Sequence, residues 1–284
     1  MLEVIQRSAT FLGKRGVDSP RLQIELLLAH VLSLPRLNLY LDFDRVLTGS
    51  QLDSVRELVR RRGEREPLQH LVGSTPFCGL EIRVNRHVLV PRPETELLAE
   101  RAWEFLGGLS SSGPKAFDFG TGSGCVAIAM AVRCPAAEIY AVDISPDALV
   151  VARENARSRG VADRIRFDLG DGFASLPPGL AFDLIVANPP YIPGGEIDTL
   201  APEVRDHDPR EALDGGPDGL RFFRRLAAES AERLRPAGMI LMEFGDGQAE
   251  EIGSIFQQNN WVVENVEPDY SGRPRIFSAR PVRV

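Results

Sequence analysis

Lysine is almost missing from this chain: Lys14 and Lys115 are the only two, and nearly all of its positive charge is arginine. Cysteine is scarce as well. Cys78, Cys125 and Cys134 make an odd count with no CxxC spacing, which argues against a disulfide framework or a zinc site and leaves them packing roles. The four histidines, His30, His70, His87 and His207, are scattered and form no HExxH pair. No apolar run approaches the ~20 residues that a membrane span needs. The opening "MLEVIQRSATFLGKRG" carries an acid and no uninterrupted apolar block, so it does not read as a secretory signal, and a cytoplasmic protein is expected. Excess positive charge is lacking where a nucleic-acid grip would need it. Residues 1–75 hold 11 basic and 9 acidic side chains, whereas residues 76–284 hold 22 and 31. An acidic larger part argues against binding by phosphate neutralisation.

What is present suffices for two domains, since 284 residues with 43% hydrophobic content can bury a sizeable core. Residues 1–75 read as a small helical domain. "LEVIQRSATFL" spaces its apolar residues helically, "SPRLQIELLLAHVLSL" opens with Ser19 as N-cap and Pro20 at N1, and "SQLDSVRELVRRRG" ends in Arg60, Arg61 and Arg62, a solvated helix end, before Gly63. Residues 76–92 alternate apolar and polar positions around "VNRH", which predicts a β-hairpin linker. "ETELLAERAWEFL" then predicts an amphipathic helix with Pro93 in its first turn. From residue 93 to 284, short apolar runs alternate with helical stretches, the pattern of a mainly parallel sheet wrapped by helices. Strands are expected at "KAFDF", "EIYAV", "IRFDL", "FDLIVAN", "MILMEF", "WVVENVEP" and "RIFSAR". Helices are expected at "CVAIAMAVR", "PDALVVARENARSRG" with Ser145 as N-cap, "LRFFRRLAAESAERL" and "QAEEIGSIFQQNN", and a loop at "LSSSGP", 109–114.

The first of these strands runs into "DFGTGSGC", immediately before a helix. A glycine-rich turn there lets a ligand approach the backbone, but a dinucleotide fingerprint would need glycine where Cys125 stands. Asp118, two residues before Gly120, would repel a pyrophosphate and suit a ligand with an ammonium group, such as S-adenosylmethionine. Asp143, ending the next strand, suits ribose hydroxyls. Asp171 follows the third strand and would face an adenine amino group, with Gly172 and Phe173 lining the ring. Taken singly, each acid favours a solvated residue of a generic Rossmann-like turn. Together they trace a nucleoside with a cationic tail.

Ligands collect at the carboxyl ends of parallel strands, which places a methyl acceptor near the fourth strand's end, at Asn188, Pro189, Pro190 and Tyr191. The prolines stiffen the turn and remove two N–H groups, leaving a wall of acceptors in the Asn188 oxygen and the Pro189 carbonyl. A planar NH₂ group matches such a wall, and Tyr191 offers a flat face beside it. The motif alone does not say which NH₂ group.

The segments DFGTGSG, AVDIS, NPPYI, VPRPETE and HDPREALDGGPDG resemble those of the release factor glutamine methyltransferases, and the resemblance covers essentially the whole chain. It implies a class I S-adenosylmethionine-dependent methyltransferase, Rossmann-like, with a mainly parallel seven-stranded sheet, a small N-terminal helical domain and a β-hairpin linker. It implies S-adenosylmethionine as donor, held by Gly120, Thr121, Gly122, Ser123, Gly124, Asp143 and Asn188, to which the reading of the residues themselves adds Asp118, Asp171, Gly172 and Phe173. It further implies that Asn188 to Tyr191 hold the glutamine amide of the Gly-Gly-Gln loop of bacterial class I release factors. Other implied features are docking by the helical domain, closure of the cofactor site by Arg92 to Glu96 and a substrate channel bordered by 207–219; a monomer is expected, and the acidic larger part predicts no direct nucleic-acid binding. Two other readings stay open: a methyltransferase acting on base amino groups of ribosomal RNA or DNA, and a non-catalytic S-adenosylmethionine-binding protein.

Overall fold

The computed structural model describes residues 1–110 and 113–283, so Ser111 and Ser112 of the expected 109–114 loop lie outside the described residues. The chain divides into two compact units, one of residues 1–74 with 200–207, the other of residues 75–199 with 208–284.

Four helices build most of the first unit: α1 (Leu2–Lys14), α2 (Pro20–Leu32), α3 (Gly49–Gly63) and α4 (Leu68–Val72). Their apolar stripes meet in one core around Ile5, Leu12, Ile24, Leu28, Val55 and Val59. Ser19 stands at the N-cap of α2 but in left-handed conformation and without a side-chain cap, so Pro20 alone marks that start. The strong cap belongs to α3, where Thr48 and Gln51 form a reciprocal capping box.

The second unit begins with a hairpin, β1 (Ser74–Phe77) and β2 (Leu80–Arg83). This corrects the expected turn at "VNRH". Two consecutive left-handed residues, Cys78 and Gly79, make the tight turn instead, and residues 84–92 form no strand although Val84, Val88 and Val90 are buried. There follow α5 (Pro93–Gly108), β3 (Lys115–Phe119), α6 (Cys125–Arg133), β4 (Glu138–Asp143), α7 (Pro146–Ser158), β5 (Ile165–Leu169) and β6 (Phe182–Ala187). After the single turn α8 (Pro202–Arg205), which belongs to the first unit, come α9 (Arg221–Glu229), β7 (Leu234–Glu243), α10 (Ala249–Gln258), β8 (Trp261–Pro268) and β9 (Pro274–Pro281). Ser145 caps α7 as expected, accepting from the Ala148 N–H.

Seven strands form one sheet in the order β5-β4-β3-β6-β7-β9-β8, parallel except for β9, which runs antiparallel to both neighbours. Buried on both faces, the central strands β3, β6 and the second half of β7 read as continuous apolar runs, and the two-residue period divides their side chains between two cores. Along β6, Leu184 and Val186 face one core with α5 and α6, while Ile185 and Ala187 face the other with Phe117, Phe182, Phe223 and Phe256. The order reverses at β3, between β4 and β6, so a crevice opens at the carboxyl ends of these strands. Among the described residues no helix is long and apolar enough to cross a membrane.

Candidate active site

At that crevice lies a cavity of about 470 Å³. It is lined by Asp118, Gly120 to Ser123, Asp143, Asp171, Gly172 and Asn188 to Pro190 of the residues singled out from sequence. Gly120, Gly122 and Gly124 all have positive φ, and the Gly120 and Thr121 N–H groups donate to the Val142 carbonyl, so the loop folds back over β4.

The two strand-end acids hold this loop. The Thr121 hydroxyl donates to Asp118 Oδ2 at 2.6 Å; Gly122 N–H donates to Asp143 Oδ2 at 2.7 Å and Ser145 N–H to its Oδ1 at 2.9 Å. Each carboxylate keeps lone pairs for a further donor. Burial pushes Asp118 up to about 7 and also raises Asp143. A cationic group in the cavity would restore the ionised form of Asp118. Cys125 also lines the cavity, yet burial pushes its thiol up to about 12, which removes it as a nucleophile.

One expectation changes here. Phe173 does not line the cavity; it is buried in the second core against Phe117 and Phe119. Gly172 takes the lining position, because a Cβ there would stand 2.4 Å from the Phe119 ring. Asp171 lines the cavity with an exposed carboxylate that is paired with Arg225, itself a lining residue. Apolar walls come from residues that the sequence reading passed over, Phe222 and the exposed Ile144. An isoleucine directly after a strand-end acid was the available signal.

The fourth-strand motif follows β6 as expected. Asn188 Nδ2 donates to Thr95 Oγ1 at 3.1 Å, and Thr95 in turn donates to Glu243 Oε2 at 2.7 Å. Among the described residues neither Asn188 Oδ1 nor the Pro189 carbonyl accepts a hydrogen bond. Tyr191 departs from expectation. It is not among the cavity-lining residues; its ring packs on the second core, its hydroxyl donates to Glu243 Oε1 at 3.4 Å, and its carbonyl accepts from Gln248 Nε2 at 2.9 Å. Burial beside Glu243 raises its phenol. Burial likewise pushes Glu243, at the end of β7, up to about 7. The segment after His207 wraps this turn: Ile192 N–H donates to the Leu213 carbonyl, Gly215 N–H to that of Ile192, and Gly194 N–H to that of Gly216. Arg92 lines the cavity and pairs with Asp208 at 2.6 Å.

Family models agree with this arrangement. One described as PrmC N-terminal domain matches residues 3–73, and one described as Methyltransferase small domain matches residues 103–206. A release factor glutamine methyltransferase of Geobacter sulfurreducens is 39% identical over 279 residues, 98% of this chain and 95% of its own. Another of that name, from Chlorobaculum tepidum, is 44% identical over 266 residues, 90% of each chain. The chain belongs to the release factor glutamine methyltransferases. Its fold is that of the class I S-adenosylmethionine-dependent methyltransferases, and S-adenosylmethionine is the methyl donor of such an enzyme. A solved methyltransferase from Pyrococcus furiosus, only 18% identical, shares the fold over 72% of this chain and 91% of its own with a TM-score of 0.53.

Proposed function

We propose that this release factor glutamine methyltransferase methylates the side-chain amide nitrogen of the glutamine in the Gly-Gly-Gln loop of bacterial class I release factors. One observation carries the reading: two unsatisfied acceptors, Asn188 Oδ1 and the Pro189 carbonyl, adjoin the cavity that Asp118 and Asp143 line. When bound, S-adenosylmethionine supplies the methyl group as a sulfonium electrophile and leaves as S-adenosylhomocysteine. The cavity fits it in volume and in donor set: Asp118 would hold the ammonium, Asp143 the ribose, the Gly120 to Ser123 loop its tail and Gly172, Ile144 and Phe222 the base.

Asn188 and Pro189 then accept both hydrogens of the glutamine NH₂. That raises electron density on its nitrogen and holds it toward the methyl carbon. The product nitrogen loses one proton to water. The helical unit docks the release factor, and the enzyme works as a cytoplasmic monomer without gripping nucleic acid, in keeping with the acidic residues 76–284.

The test is to incubate the protein with methyl-labelled S-adenosylmethionine and, separately, a release factor, the same factor with its loop glutamine replaced, ribosomal RNA and DNA. Label is expected on the intact factor alone. Label on nucleic acid, or on none of the four, refutes the proposal.

A further inference from the structure

Asn188 offers both a donor and an acceptor, and only the acceptor suits an incoming NH₂ group. The proline-rich turn fixes the backbone but not the rotation of the side-chain amide. Something outside the motif must decide which end of that amide faces the cavity.

We propose that Glu243 and Thr95 act as positioning residues that set the polarity of the Asn188 amide, turning its oxygen toward the methyl acceptor; the inference rests on the proposed function. The three side chains come from separate elements: α5 supplies Thr95, the turn after β6 supplies Asn188, and β7 supplies Glu243. Thr95 and Glu243 are 3% and 1% exposed, so water does not compete with their contacts. A hydroxyl has a single proton. With Glu243 ionised, as it is above about pH 7, Thr95 spends it on Glu243 Oε2 at 2.7 Å, and toward Asn188, 3.1 Å away, it can therefore only accept. Asn188 must present Nδ2 to Thr95, and Oδ1, on the other branch of the planar amide, is left for the substrate.

A reversed amide would set the Oδ1 lone pairs against those of Thr95 and an NH₂ group against the substrate NH₂. Both contacts are repulsive. A second hydroxyl, that of Tyr191, donates to Glu243 Oε1 at 3.4 Å, so the carboxylate receives a proton on each oxygen and anchors the turn at both ends. NPPY would thus depend on two residues, 93 positions before and 55 after Asn188, that lie outside it.

Thr95→Val keeps the β-branched shape and deletes the hydroxyl, whereas Thr95→Ser keeps the hydroxyl. Methyl transfer to release factor, S-adenosylmethionine binding by calorimetry and thermal melting are measured for wild type and both variants. The valine variant should lose turnover on the order of 100-fold, because the amide is no longer held in one orientation. Its cofactor dissociation constant should stay within about threefold, and the serine variant should recover kcat to within about fivefold of wild type. Thr95→Ala replaces valine if that variant fails to fold. Wild-type turnover in the hydroxyl-free variant, or no recovery by a serine variant that melts like wild type, overturns the inference. A wild type that fails to label release factor overturns the proposed function and this inference with it, a result distinct from unchanged turnover in the variant.

Discussion

In the proposed function one Asn188 oxygen orients the reacting nitrogen, while residues on β3, β4 and the loop between β3 and α6 would hold most of the cofactor. Asn188→Ala should therefore lower kcat on the order of 10²–10³-fold, the usual loss when one preorganised hydrogen bond is removed. S-adenosylmethionine affinity, measured by calorimetry, should fall by no more than about tenfold. Loss of cofactor binding with surviving turnover at saturation would reverse the assignment. The glycine loop, the strand-end acids and NPPY are legible in sequence because each is contiguous and its chemistry is local. Thr95 and Glu243 are not, since a hydroxyl in a helix and an acid ending a strand become a relay only when α5, β6 and β7 are packed together. Phe173 misleads for a related reason. Its place beside Gly172 says nothing of which face it takes, and the core around Phe117 claims it.

Among the elements, every expected strand of the large sheet appears close to its expected place; the central strands β3 and β6 stand out because a strand buried on both faces needs an apolar run. The linker hairpin was displaced because its turn depends on backbone conformation at Cys78 and Gly79, while burial of Val84, Val88 and Val90 imitates strand alternation. The Gly-Gly-Pro-Asp-Gly stretch at 215–219 carries more than a turn. Gly219 has φ of +76°, and a Cβ on it would stand 2.3 Å from the Tyr191 carbonyl oxygen and 2.7 Å from Gln248 Nε2. Gly179 has the same φ with nothing near, and so serves as the control. Gly179→Ala should cost only the left-handed strain, about 1–2 kcal/mol in urea denaturation. Gly219→Ala should add overpacking of about 1–3 kcal/mol and should also depress turnover, since the displaced atoms belong to the residue after Pro190. Equal stability and equal rates in the two variants would mean that this loop does not brace the turn.

For the molecule as a whole, buried carboxylates pull stability in opposite directions as pH changes. In the helical unit, Arg62 is 4% exposed and shares Glu203 with Arg65, at 2.8 and 2.6 Å. Here Arg62 is an interior side chain and not a solvated helix end, and 200–207 groups with the helical unit through Glu203. Burial works to raise Glu203, but hydrogen bonds from Arg65 and Arg62 carry it down to about 2. Its contribution is therefore present above the ordinary carboxylate range and is lost as pH falls toward 2. Glu203→Gln, which leaves Arg62 buried without its anion, should destabilise the protein by about 2–3 kcal/mol near neutral pH. Asp118 and Glu243, raised to about 7, act in the other sense: their contribution is complete below about 4 and declines as pH rises through 7. The melting temperature of the ligand-free protein should accordingly drop between about pH 5.5 and pH 8. An ammonium group beside Asp118 favours its ionised form, so added S-adenosylmethionine should stabilise more at the higher pH, with proton release visible by calorimetry in buffers of different ionisation enthalpy. Asp118→Asn should flatten that ligand dependence while Glu243 keeps part of the ligand-free slope. Equal stabilisation by the cofactor at both pH values would remove Asp118 from the ammonium site, because a buried acid that meets a cation cannot keep its raised pKa.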